Sequence, residues 1–301
     1  MSVIEGRAIV AAMNSAVHPR HVNAGYAPRV VDALLELGLS LPGPMPVLGL
    51  AGVQGTGKTT LSRQIAGAAR SRGLDAVAIS IDDVYLTHAE RQVLARQTHP
   101  LLATRGPPGS HDVGLACAAL DALAAAGPST ITALPGFDKI ADERLPPSQW
   151  RSHRGRPDLV VFEGWFLCTP PEDAQALREP INRLEREEDR DGRWRIWCNT
   201  ALAGYAPLWQ RLDHLVFLQP PGFEVVREWR WQQECSLQAD NPGRRTMDHA
   251  AVMRFIEFFE RTSRRALHSL PGLAGTRIRI DARRQLLDPS ELPGNPSSSA
   301  G

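Results

Sequence analysis

At 301 residues, with 43% hydrophobic and 22% charged residues, the chain can bury a large core, which excludes wholesale disorder and a fibrous architecture. Lys plus Arg at 34 nearly balances Asp plus Glu at 33, so the net charge of +1 lacks the basic excess that nucleic-acid binding leaves. No run of about 18 apolar residues occurs, and the N-terminal stretch MSVIEGRAIVAAMNSAVHPR has no basic segment followed by a long apolar core, so the expectation is a cytoplasmic protein without a membrane span.

Residues 28 to 38, PRVVDALLELG, read as an amphipathic helix closed by Gly38, and LSLPGPMP is a turn-rich break before the first buried strand. Residues 1–45 are therefore expected to form an N-terminal helical cap. From Pro46 onward short apolar runs alternate with helical stretches. PVLGLAG is followed by a helix after Lys58, then DAVAISI, a long loop with a helix near 112 to 126, STITALP and DLVVFEG, while DHLVFLQ and TRIRID supply two later strands. This alternation predicts an α/β fold, a parallel sheet covered by helices on both faces.

The four cysteines, Cys117, Cys168, Cys198 and Cys235, show neither C-x-x-C spacing nor clustering and read as free thiols of a reducing compartment. Residues 178 to 195, REPINRLEREEDRDGRWR, are dense in both charge signs and read as an exposed insertion. The tail, 291–301, is small, polar and turn-rich, and disorder is expected there. No internal repeat is seen.

Between the first apolar strand and the helix after Lys58 lies Gly52-Val-Gln-Gly-Thr-Gly-Lys-Thr, ending at Thr59, which fits G-x-x-x-x-G-K-[ST]. The glycines let successive backbone N–H groups turn inward toward phosphate oxygens, and the new helix adds the positive end of its dipole. Lys58 supplies a mobile charge to β and γ phosphates, and the Thr59 hydroxyl suits a magnesium ion. The pattern thus predicts a P-loop NTPase fold binding ATP and Mg2+ through Gly52, Gln54, Gly55, Thr56, Gly57, Lys58, Thr59 and Thr60. A P-loop kinase also needs carboxylates near the metal and a base near the acceptor. Asp82 and Asp83 follow the run DAVAISI, and Glu163 follows Val160-Val161-Phe162, so all three emerge at the carboxyl edge of the sheet, where α/β proteins bind ligands. Each also reads as an acid capping a turn.

GLAGVQGTGKTTL, SIDDVYLT, RGPPGSHD, LPGFDK, VVFEGWFL, PINRLEREEDRDGRWR with Asn199, and WRWQQE, taken in order, resemble the D-glycerate 3-kinase family, plant and fungal enzymes with bacterial relatives, within the phosphoribulokinase and uridine kinase group. The resemblance covers most of residues 47 to 260. It implies a kinase domain over 46–290, with the insertion at 178–199 and a lid helix over 223–240. Asp82 stands in the place of the Asp of the D-x-F-Y motif, the base for the acceptor hydroxyl, with Val84 where Phe is usual. Glu163 matches the acid that ends the Walker B strand and holds magnesium or its waters, and Asp83 is the second candidate for either role. RGPPGSHD resembles a loop beside the acceptor pocket, which makes Arg105, His111 and Asp112 substrate contacts, although Asp112 reads equally as the N-cap of VGLACAALDAL. FDK resembles a (Y/F)-D motif, giving Asp138 and Lys139, with Arg144 shortly after, and Phe137 where Tyr is commoner. Arg227 and Arg230, three apart on one helix face, match lid arginines that neutralise the transferring phosphoryl, Arg230 as a catalytic group and Arg227 toward the nucleotide. Ion pairing of these arginines to Glu228 and Glu234 is the alternative.

The resemblance implies transfer of the ATP γ-phosphoryl to a hydroxyl of a small molecule, with D-glycerate as first choice, giving 3-phosphoglycerate. A nucleoside, pantothenate or a sugar phosphate is the alternative acceptor, and an ATP-binding switch or scaffold is the alternative class.

Overall fold

Residues 25–240 and 247–294 are described by the computed structural model, so the expectations for 1–24 and 295–301 fall outside the described residues. Strands buried on both faces read as unbroken apolar runs, and three of the expected strands are of this kind: β1 (Val47–Ala51), β7 (Leu159–Gly164) and β8 (His214–Gln219). With β2 (Ala76–Ser80) and β9 (Thr276–Arg279) they make a five-stranded sheet in the order β2-β7-β1-β8-β9, every pairing parallel. Successive side chains alternate between its faces. Val47, Ala51, Val160, Phe162, Leu215 and Phe217 join one core, whereas Leu48, Leu50, Leu159, Val161, Val216 and Leu218 join the other.

The helices are α1 (Pro28–Ser40), α2 (Lys58–Ser71), α3 (His88–Gln97), α4 (Val113–Ala125), α5 (Arg183–Glu188), α6 (Arg193–Ala201), α7 (Ala206–Trp209), α8 (Glu224–Asp240) and α9 (His249–Leu273). In α1 the proline sits in the first turn, where a missing N–H costs nothing. The helix runs two residues beyond Gly38, which does not close it: a Cβ there would stand 2.9 Å from the Leu159 side chain, so the glycine lets α1 lie against β7. Leu61, Ile65 and Ala69, four apart, form the buried stripe of α2 that seats it on the sheet.

Further expectations change. STITALP is not a strand of the parallel sheet: β3 (Ile131–Leu134) pairs antiparallel with β6 (Arg151–Arg154) in a separate two-stranded sheet. Its alternating exposed and buried residues suit a ribbon wet on one face. A second ribbon joins β4 (Phe137–Asp138) to β5 (Glu143–Arg144). The charged insertion is folded against α9, with Glu185, Asp189 and Arg195 turned inward and most of its other charges exposed. Glu185 and Asp189 are fully buried, Glu185 paired with Arg261 at 2.7 Å and Asp189 with Arg195 at 2.9 Å. Arg261 reaches Glu172 as well, at 3.0 Å, so the segment combines a small internal ion network with the exposed charges that the sequence predicts. Glu291 and Leu292, expected in the tail, are packed instead: Glu291 pairs with Arg279 and Leu292 is buried. Among the described residues no helix is long and apolar enough to cross a membrane.

Candidate active site

The first strand delivers its loop to the carboxyl edge of the sheet, where backbone approach is tight. Gly55 has φ +86°, and a Cβ there would lie 2.6 Å from the Cβ of Trp229 on α8. A side-chain-bearing residue at 55 would be strained in its backbone and would collide with that helix. Lys58, first residue of α2, is buried, and its Nζ donates to the Val53 carbonyl at 3.2 Å. Burial lowers the pKa of this ammonium, and Lys139 adds to the shift, while Glu163 and Asp82 oppose it. The next residue, Thr59, donates its hydroxyl to Glu163 Oε1 at 2.7 Å.

Strand register brings the acids together. Ser80 of β2 lies beside Glu163 of β7, and Glu163 beside Leu50 of β1, so the chain leaving β2 enters the site two residues later, at Asp82. Burial raises the Glu163 pKa, with Asp82 adding and Lys58, Thr59 and Ser80 opposing. A hydroxyl and a buried carboxylate in contact are hard oxygen donors, the kind that magnesium takes. Asp82 accepts from the Tyr85 hydroxyl at 2.7 Å and from Lys139 Nζ at 2.6 Å. Burial alone would raise its pKa, but the Lys139 charge and the two hydrogen bonds outweigh it and hold the carboxyl at about 2.

A cavity of about 210 Å³ connects these groups. Of the residues singled out in the sequence, Gln54, Gly55, Lys58, Thr59, Asp82, Arg105, Lys139, Glu163 and Arg230 line it. Arg105 pairs with Asp142, donates to the Lys139 carbonyl at 3.0 Å and lies over the Phe137 ring. Arg230 of α8 donates to Gln233 and lies over Phe255 at 5.5 Å. Tyr85, Trp165, Gln233, Phe255 and Phe259 complete the wall, and none had been assigned a role from sequence. Tyr85 alone left a signal, three residues after Asp82 and so within reach across one turn.

The other predicted residues lie outside this lining. Asp83 closes a capping box with Ser80, accepting from its backbone N–H at 3.0 Å, and stands 3.7 Å from Arg151. His111 is buried behind Tyr85, ring centroids 4.6 Å apart, with Nδ1 2.7 Å from the Tyr205 hydroxyl. Burial pushes its pKa down to about 3 against the pull of Asp82. Asp112 is the N-cap of α4, accepting from the Leu115 N–H at 2.9 Å, and pairs with Arg144 at 3.2 Å. Arg144 donates twice to the Tyr85 carbonyl, at 3.1 and 2.9 Å. Asp138 accepts from the Ile140 and Ala141 N–H groups and so shapes the turn that carries Lys139. Arg227 stands half-exposed, 3.8 Å from Glu260. Of the loop residues, Gly52, Thr56 and Gly57 shape the turn, and Thr60 faces outward from the first turn of α2.

No family model matches the chain. It is 33% identical over 220 residues to the uncharacterized kinase mug58 of Schizosaccharomyces pombe, covering 70% of this chain and 78% of that protein. Over 222 residues it is 30% identical to the chloroplastic D-glycerate 3-kinase of Arabidopsis thaliana, a match covering 71% of this chain and 46% of the plant protein. Among solved structures, D-glycerate 3-kinase from Cryptococcus neoformans var. grubii superposes with a TM-score of 0.70 at 23% identity, over 88% of this chain and 99% of that one, which speaks for the fold. With a phosphate loop, a paired threonine and carboxylate, and a second carboxylate in one cavity, the chain belongs to the P-loop kinase family that includes the uncharacterized kinase mug58.

Proposed function

We propose that this protein transfers the γ-phosphoryl group of ATP to a hydroxyl of a small carboxylated metabolite, with D-glycerate as the substrate and 3-phosphoglycerate as the product. The observation that carries this reading is a pair of cations in the cavity lining beyond the phosphate loop. Besides Lys58, Thr59 and Glu163 the cavity is lined by Asp82 with its partner Lys139, and by Arg105, which pairs with Asp142. An uncharged acceptor such as a nucleoside has no use for that pair, but a carboxylate does.

In the proposed reaction the acceptor oxygen forms its bond to the γ phosphorus as the bridging oxygen to ADP departs, and the hydroxyl proton passes to Asp82. Lys58 holds charge on the transferring group and Arg230 faces it from the lid helix. Thr59 and Glu163 would hold magnesium, which when bound neutralises phosphate charge. Asp82, already held in one orientation by Tyr85, directs the acceptor oxygen, and in a loose transition state orientation counts for more than early deprotonation. Lys139, now on Asp82, is positioned to move to a substrate carboxylate and leave the base free.

Turnover of a panel of hydroxy acids, nucleosides, pantothenate and sugar phosphates with ATP, read by product mass, tests the assignment. Hydroxy acids should be preferred in kcat/KM, and a preference for nucleosides would overturn the substrate class.

A further inference from the structure

Two contacts on the outer side of the phosphate loop come from opposite ends of the described chain. Tyr26, just before α1, donates its hydroxyl to the Thr56 carbonyl at 2.6 Å. Arg284, after β9, donates its Nε to the Gly55 carbonyl, also at 2.6 Å. Adjacent carbonyls of the loop are thus each held from outside by a side chain unrelated to it in sequence. A trans peptide carries its N–H opposite its carbonyl. Fixing the carbonyls of 55 and 56 therefore fixes the N–H groups of Thr56 and Gly57 on the other side of those peptides, and the Thr56 N–H meets the Val53 carbonyl, the same oxygen that Lys58 reaches.

Both holders are themselves built in. The backbone of Tyr26 exchanges two hydrogen bonds with the Gln64 side chain on α2, at 2.9 and 3.0 Å, and its ring is buried. Arg284 lies 4.7 Å over the ring of Trp229, whose indole N–H donates back to the Ala282 carbonyl at 2.8 Å. The turn of Arg284 is thereby locked to the lid helix that carries Arg230. Its backbone has φ +64°, a region where a residue with a Cβ costs about 1 kcal/mol or more, so plain turn economy favours glycine there. An arginine kept in that conformation, with its planar group used on both edge and face, points to a task for the side chain.

We propose that Tyr26 and Arg284 are positioning residues that preset the phosphate loop, so that nucleotide affinity depends on two segments far from the reacting atoms. This rests on the phosphotransfer reading above. The test compares Tyr26→Phe, Arg284→Met, Arg284→Lys and Arg284→Gly in the full chain, by calorimetry with magnesium and ATP, acceptor KM, kcat and thermal midpoint. Tyr26→Phe and Arg284→Met should each weaken ATP binding about tenfold, the worth of one well-made hydrogen bond, with acceptor KM unchanged. Arg284→Lys should recover part of that loss. Arg284→Gly should keep the thermal midpoint, because glycine suits the turn, yet still bind ATP weakly. ATP affinity within twofold of wild type in both Tyr26→Phe and Arg284→Met overturns the proposal, as does a loss in Arg284→Met that Arg284→Gly restores. A wild-type chain that fails to bind ATP overturns the phosphotransfer reading along with it.

Discussion

Replacing Asp82 by Asn isolates the acceptor-side chemistry. The substitution keeps the size of the side chain and an oxygen that can accept from Tyr85, now 2.7 Å away, but it removes the group that receives the proton. General-base and orienting roles of this kind contribute about a hundredfold to ten-thousandfold, so kcat should fall by that amount. The fold should survive. The lost ion pair is with Lys139, whose side chain is 58% exposed, so solvent screens much of it. ATP affinity should stay near that of wild type, because Lys58, Thr59 and Glu163 keep their contacts with one another and with the loop. Calorimetry with ATP and magnesium, alongside kcat, separates the outcomes. Loss of ATP and magnesium binding with acceptor affinity intact would refute the reasoning and make Asp82 a metal residue.

Lys58→Ala should leave a folded protein with turnover reduced on the order of a thousandfold, and near-full turnover in a folded variant would contradict the phosphate-loop role. Glu163→Gln keeps shape but loses charge beside the Thr59 hydroxyl, so the magnesium midpoint for activity should rise about ten- to a hundredfold, and an unchanged titration would remove the residue from the metal site. His111 carries a pKa near 3 in the fold against about 6.5 in an unfolded chain, so the unfolded state binds the extra proton and stability is lost as pH falls through that window. The group contributes a slope of up to about 1.4 kcal/mol per pH unit. Urea unfolding between about pH 4.5 and 6.5 should give a flatter profile for His111→Gln, and an unaltered slope would show that the imidazole is not held neutral.

The parts of the site legible in the sequence are those in which one short segment carries both geometry and chemistry. The phosphate loop reads from its own glycines, and Glu163 and Asp82 read from apolar runs that end at the sheet edge, because strand direction determines where the next residue emerges. The RGPPGSHD and FDK segments each send a side chain to the cavity, but not all of their candidate residues line it. Arg105 and Lys139 reach the cavity, while His111, Asp112 and Arg144 gather behind Tyr85, where they hold a ring and a carbonyl. Nothing local distinguishes those two outcomes, since both use polar residues on one loop. Trp165, Phe255 and Phe259 were invisible for the opposite reason: an apolar side chain lining a cavity has the same pattern as one buried in a core. The same limit governs the fold. β3 has the apolar character of a sheet strand yet pairs in a ribbon, and Glu185 and Asp189 lie among exposed charges yet are buried with Arg261 and Arg195.

Phosphorus NMR of the wild-type protein with ATP, magnesium and D-glycerate tests the central claim most directly. A new phosphomonoester resonance should grow in step with ADP, and both should be absent with Lys58→Ala. ATP left intact, or hydrolysed to inorganic phosphate with no phosphorylated acid formed, would contradict the account.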